Sequence, residues 1–331
     1  MALLDAVEKL VDEGYEAHAR AAFTKGFQIR KTGAFRFELA PKQDARADIS
    51  SAVADLPEFE ATPGMMGFLF RQAAALDNRL RNARFFDPYR DTDCTKVITQ
   101  GDSWFAFPFV KPVDVSENLA NLMPVFSLGC PGDDVADMSG DHKLADLIAA
   151  LSETQADIVA LSGGGNELIG DDFPSVLKTP LKARLAVEYV DADRLQRKAT
   201  KVIRGFEKIL LALVAVKPDV QICAHSYDYP FARRAEGTFL GPVLDDLGVP
   251  DEYWNGICAH IIDQFDAALV LLSNRYPKNF FRVDLRRISG NDIANWSDEI
   301  HLNSETAKLA ANEFLVQFKK RLGCRFGTQS G

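Results

Sequence analysis

From Lys96 onward, short apolar runs alternate with segments whose apolar residues recur at helical spacing. The runs fall at 97–99, 125–128, 158–161, 220–224 and 280–283. Each is mostly β-branched or aromatic and lacks polar alternation, the pattern of strands covered on both faces. Helical patterns span about 141–153, 193–216, 257–275 and 304–322, with Asp193 and Ser304 placed to open two of them. Alternating strands and helices predict an α/β fold. The expected form is a three-layer α/β/α sandwich around a five-stranded, mainly parallel sheet.

The chain before this region is patterned differently. Leu3, Leu4, Val7, Leu10 and Val11 predict an amphipathic helix up to about Gly26. A β-like piece follows at 34–39, then an acidic, proline-containing loop at 56–64 and a second helix at 66–85. The expected organisation is a helical extension over 1–92 and one domain over 93–331. Lone amphipathic helices mostly bury their apolar face. The extension is therefore read as packing on the domain or on a second copy, making a homo-oligomer, in preference to a lid.

Composition narrows the class. Of 331 residues, 47% are hydrophobic and 26% charged, which suits a globular protein with a substantial core. A net charge of −9 argues against a nucleic-acid backbone as partner and against anionic membrane surfaces. Asp5, Glu8, Asp12 and Glu13 break the first apolar segment, so it does not read as a secretory signal. No run approaches the roughly 20 uninterrupted apolar residues of a spanning helix. Cys94, Cys130, Cys223, Cys258 and Cys324 are scattered and form no CxxC pair. These features predict a reduced, cytoplasmic protein without a zinc site or a disulfide framework.

Candidate chemistry collects at the ends of the predicted strands, where open α/β sheets place their sites. Gly101-Asp102-Ser103 follows the first strand, a loop containing Gly129 and Gly132 the second, and Gly163-Gly164-Gly165-Asn166-Glu167 the third. Asp298-Glu299-Ile300-His301 precedes the last helix. Ester cleavage needs an activated hydroxyl, a base and donors aimed at a developing oxyanion. Ser103 offers the hydroxyl, His301 the base and Asp298 the group that orients it. The backbone N–H groups of Ser103 and Gly132 and the side-chain NH₂ of Asn166 offer the donors.

Together these blocks resemble the SGNH (GDSL-type) superfamily of serine esterases and lipases, over about residues 96–322. The resemblance implies a Ser103–His301–Asp298 triad, an acyl-enzyme, no metal or cofactor, and a small-molecule ester substrate, an acyl or acetyl ester of a lipid, a sugar or another small molecule. Acyl transfer on the same triad is the alternative, and a non-catalytic scaffold a more distant one. Trp104 replaces the family's leucine after GDS, and Glu167 its aspartate after asparagine. Gly129 competes with Gly132 for the glycine block. Trp104, Tyr227, Asp228 and Tyr229 are candidates to line the substrate. The α/β-hydrolase motif GxSxG is absent, as are GxxxxGK[ST] and GxGxxG.

Overall fold

The computed structural model describes residues 9, 12, 16–31, 37–41, 63–86, 94–107, 112–179, 183–235 and 238–323. Five strands form the central sheet: β3 (Val97–Gly101), β4 (Val125–Ser127), β5 (Ile158–Ser162), β6 (Gln221–His225) and β7 (Phe280–Val283). Every residue of β3, β5 and β6 is buried, which explains why these segments read as unbroken apolar runs. The order is β4-β3-β5-β6-β7 and all pairs are parallel. This is a doubly wound α/β sandwich whose strand order reverses between β3 and β5. In such sheets the crevice at the reversal, outside the strands' carboxyl ends, is the expected site.

The intervening helices are α3 (Val115–Ala120), α4 (Val135–Met138), α5 (Asp141–Thr154), α6 (Gly165–Ile169), α7 (Ala192–Val216), α8 (Leu240–Asp246), α9 (Asp251–Arg275) and α10 (Ser304–Leu322). Helices α3 and α10 pack together, while α4, α5 and α9 pack against α7. Asp191, rather than Asp193, caps α7 by accepting from Arg194 N at 3.0 Å. Helix α9 starts six residues before the predicted 257. By length and composition α9 could cross a bilayer. However, its Ile257, Ile261, Phe265 and Leu269 are buried in the core.

In the extension, α1 (Glu16–Gly26) leads into an antiparallel hairpin of β1 (Phe27–Lys31) and β2 (Phe37–Pro41). Apart from residues 9 and 12, the predicted helix before Glu16 lies outside the described residues, as does most of the predicted 56–64 loop. Helix α2 (Pro63–Phe85) packs on β2 and β4. The Arg81 guanidinium, fully buried, donates to both carboxylate oxygens of Asp114 at 3.0 and 2.6 Å and to the Phe105 carbonyl at 3.2 Å. Asp77 and Glu117 complete the ion cluster at 2.6 and 3.1 Å. Asn78 and Asn82 bond the backbone carbonyls of Gly129 and Ser127 at 2.8 and 3.1 Å. Polar side chains of α2 thus hold the loops that leave β3 and β4.

Candidate active site

Strand β3 ends at Gly101, whose φ of +153° few residues with a side chain adopt. A Cβ there would come within 2.1 Å of the Ser162 carbonyl oxygen on β5. The chain then makes one tight turn, in which Phe105 N and Ala106 N both donate to the Asp102 carbonyl at 3.0 Å. Asp102 Oδ1 accepts from Trp104 N at 3.0 Å and fixes the turn from its side-chain side. Ser103 opens this turn and is 2% exposed.

The segment before α10 folds back on itself through a bridge between Trp296 and Leu302 and a 2.8 Å bond from Ser297 N to the His301 carbonyl. Asp298 Oδ1 accepts from Ile300 N and His301 N, both at 2.8 Å. Its Oδ2 lies 2.8 Å from His301 Nδ1, and His301 Nε2 lies 2.7 Å from Ser103 Oγ. With Nδ1–H donating to the carboxylate, Nε2 carries a lone pair facing the serine hydroxyl. The Trp104 indole N–H donates to the Ile300 carbonyl at 3.0 Å and ties the serine turn to the histidine turn. The three-residue spacing from Asp298 to His301 therefore brings acid and base together, and the fold brings both to Ser103.

Gly132 and Asn166 lie together at a separate groove. Gly132 has φ +82°, and the two residues line one groove with Asp134, Glu167, Lys198 and Lys201. Asn166, in the first turn of α6, donates from Nδ2 to the Asp133 carbonyl at 2.5 Å. Its Oδ1 is buried without a hydrogen bond among the described residues. Gly129 is instead a packing glycine, since a Cβ there would meet Ala106 Cβ at 2.8 Å. Glu167 accepts from Val135 N at 2.6 Å and Gly164 N at 3.1 Å, so it clamps the Asn166 turn to the start of α4. Burial pushes the Glu167 carboxyl up to about 7, and that of Asp133 up to about 6 despite neighbouring Lys143.

Trp104 borders a small cavity with Ser103, Phe107, His301 and Leu302. Tyr227 and Asp228 depart from a lining role because both are buried with their polar groups engaged inside the protein. Tyr227 donates to Asp102 Oδ2, and Asp228 accepts from the backbone N–H groups of Tyr229, Arg287 and Ser289. The half-buried Tyr229 donates to Asp263 at 2.7 Å. The turn after β6 is thus structural.

One carboxylate in this segment has a role that the sequence pattern does not reveal. Glu299, inside the Asp298–His301 block, is fully buried. Its carboxylate accepts the backbone N–H groups of Arg233 (3.1 Å), Phe239, Leu240 (2.9 Å) and Gly241 (3.0 Å). The only available signal was a second acid beside Asp298.

The fold and these contacts define an α/β/α sandwich with a hydrogen-bonded Ser–His–Asp set at its strand-order reversal. No family model matches the chain, and no curated protein matches it. Solved structures that match include SGNH hydrolases, carbohydrate esterases and lipases. Phospholipase A1 from Streptomyces albidoflavus is 12% identical, with 68% of this chain and 99% of that one covered at a TM-score of 0.44. An extracellular lipase from Streptomyces rimosus is 13% identical, with coverages of 67% and 99% and a TM-score of 0.43. A family 3 carbohydrate esterase from Talaromyces cellulolyticus is 16% identical, with coverages of 69% and 100% and a TM-score of 0.40.

Proposed function

We propose that the protein is a serine hydrolase that cleaves carboxylic esters of small molecules. The observation that carries this reading is the continuous contact from Ser103 Oγ through His301 to Asp298, at 2.7 and 2.8 Å. Nucleophile, base and orienting acid then follow the division of roles in a triad. Ser103 Oγ attacks the acyl carbon while His301 Nε2 takes its proton. Asp298 holds the ring and stabilises the imidazolium. His301 returns the proton to the leaving alcohol, and an acyl-enzyme remains. Water, activated by the same histidine, then releases the acid.

The oxyanion would be held by the backbone N–H groups of Ser103 and Gly132 and by the N–H of the Asn166 amide that Asp133 does not occupy. Such preorganised donors matter most in a site with little water. The triad's own residues need neither metal nor cofactor for this chemistry.

A fluorophosphonate probe tests the reading directly. The folded protein should be labelled at Ser103, and Ser103→Ala should abolish both labelling and turnover of chromogenic esters. Intact folding with no labelling of Ser103 would sink the proposal. A panel running from acetyl to long acyl esters, beside acetylated sugars, then defines the substrate.

A further inference from the structure

Asp102, one residue before Ser103, also belongs to a second set of polar groups in the core. Its Oδ2 accepts from the Tyr227 hydroxyl, and its Oδ1 lies 2.6 Å from Ser162 Oγ. Ser162 Oγ lies 2.8 Å from His225 Nε2, and His225 Nδ1 lies 3.0 Å from the Ser226 carbonyl oxygen. Asp102, Ser162 and His225 are all 0% exposed. Buried polar atoms at such distances need a hydrogen between them.

The ordinary protonation states supply one hydrogen too few for these contacts. The Ser226 carbonyl can only accept, so Nδ1 must carry a hydrogen. The contacts Nε2–Ser162 Oγ and Ser162 Oγ–Asp102 Oδ1 then need one hydrogen each, and the hydroxyl supplies one. If Asp102 is a carboxylate and His225 a neutral imidazole, one contact sets two lone pairs against each other. Moving the ring hydrogen to Nε2 only transfers that clash to the Ser226 carbonyl.

We propose that Asp102, Ser162 and His225 share one proton beyond those of an ionised carboxylate, a hydroxyl and a neutral imidazole, and so form a charge-neutral relay beside the nucleophile turn. Two placements satisfy every contact. In one, the Asp102 carboxyl donates to Ser162 Oγ, whose hydroxyl donates to Nε2. In the other, Nε2–H donates to Ser162 Oγ, whose hydroxyl donates to the carboxylate. A concerted shift of two protons through the hydroxyl interconverts them.

Asp102 is the charged group that faces His225, whose ring is otherwise packed by Trp104, Phe105, Tyr227 and Phe314 at centroid distances of 5.4, 5.5, 4.8 and 5.7 Å. Burial opposes the His225 imidazolium and lowers it to about 4. Aromatic faces favour the imidazolium. Neither placement leaves a net charge. The consequence for catalysis rests on the hydrolase reading, although the proton count does not. A neutral relay offsets a buried negative charge one residue from Ser103, by protonating the carboxylate in one placement and by pairing it with the imidazolium in the other, close to where negative charge develops in the transition state. Asp102, Ser162 and His225 are thus positioning residues for Ser103.

The test is NMR of the whole chain at pH 7, with ¹⁵N in the histidine rings and ¹³C in the aspartate carboxyls. Through-bond correlation to their own backbone amides assigns His225 and Asp102. Two hydrogens on the His225 ring support the relay, as does a ring protonated at Nδ1 alone together with a protonated Asp102 carboxyl. A neutral ring beside an ionised Asp102 overturns it, whichever nitrogen holds the hydrogen. Fluorophosphonate labelling of the same sample reports separately on the hydrolase reading.

Discussion

Replacing Glu299 by glutamine keeps the shape of the side chain and removes half of its accepting capacity. Each carboxylate oxygen serves two backbone donors, Oε1 those of Arg233 and Gly241 and Oε2 those of Phe239 and Leu240. Whichever way the glutamine amide turns, its NH₂ faces one of these pairs, and two N–H groups, one on a buried and one on a part-buried residue, lose their acceptor. Orphaning two donors that had bonded a charged group costs roughly 3–6 kcal/mol. Relief from burying the carboxylate returns part of this, leaving a net loss of about 2–4 kcal/mol. Against a total stability of about 5–15 kcal/mol, such a loss is plainly measurable. Urea denaturation of wild type and Glu299→Gln should show a lower midpoint at an unchanged slope. A loss below about 1 kcal/mol would refute the four-donor account of the 231–241 loop.

Other outcomes follow from the same structure. Arg81→Ala removes the guanidinium shared by Asp114, Asp77 and Glu117, leaving Arg20 on Asp77 and only backbone donors on Asp114, and should cost about 3–5 kcal/mol by denaturation, the usual effect of breaking a buried ion cluster. Asn166→Ala should lower kcat by about 10²–10³-fold with the protein still folded, the usual loss of one oxyanion donor, and full activity would remove Asn166 from that role. Glu167, raised to about 7, binds a proton in the folded state that the unfolded chain releases near 4.5. Its contribution is complete below the unfolded value and is lost as pH rises towards 7, by up to about 3 kcal/mol. Asp133, raised to about 6, acts in the same direction. Stability measured from pH 4 to 8 should therefore fall through this window, and Glu167→Gln should flatten the fall.

The strands and the four blocks of the site were legible because each is local. Unbroken apolar runs mark doubly covered strands, and glycine-bearing turns mark their ends. Asp298 finds His301 within one turn, so spacing alone places them. Errors arose where local signals compete. Asp191 and Asp193 are both good caps, and only the backbone decides between them. The start of α9, DEYWNG, shows too little apolar periodicity to reveal a helix. Strand β1 begins directly after Gly26, and its five residues are too few for their alternation to stand out in the sequence. The buried polar residues were illegible for a different reason. Arg81 meets Asp114 across 33 positions, and Glu299 meets its donors across 58 to 66. Nothing in the neighbourhood of either residue announces such a partner. The Asp102–Ser162–His225 contacts are of this kind too.

Ser103 and His301 lie 198 positions apart in the chain. A ribosome adding 5–20 residues per second therefore takes roughly 10–40 s to deliver the histidine after the serine. During that interval the serine turn can dock on β5, but its hydroxyl has no base. If the proposed chemistry holds, the nascent chain is inert towards esters until the last strand and the turn before the last helix are in place. Reactivity would then appear late and all at once, and a serine-directed probe applied to arrested chains of increasing length would time the closure of the fold.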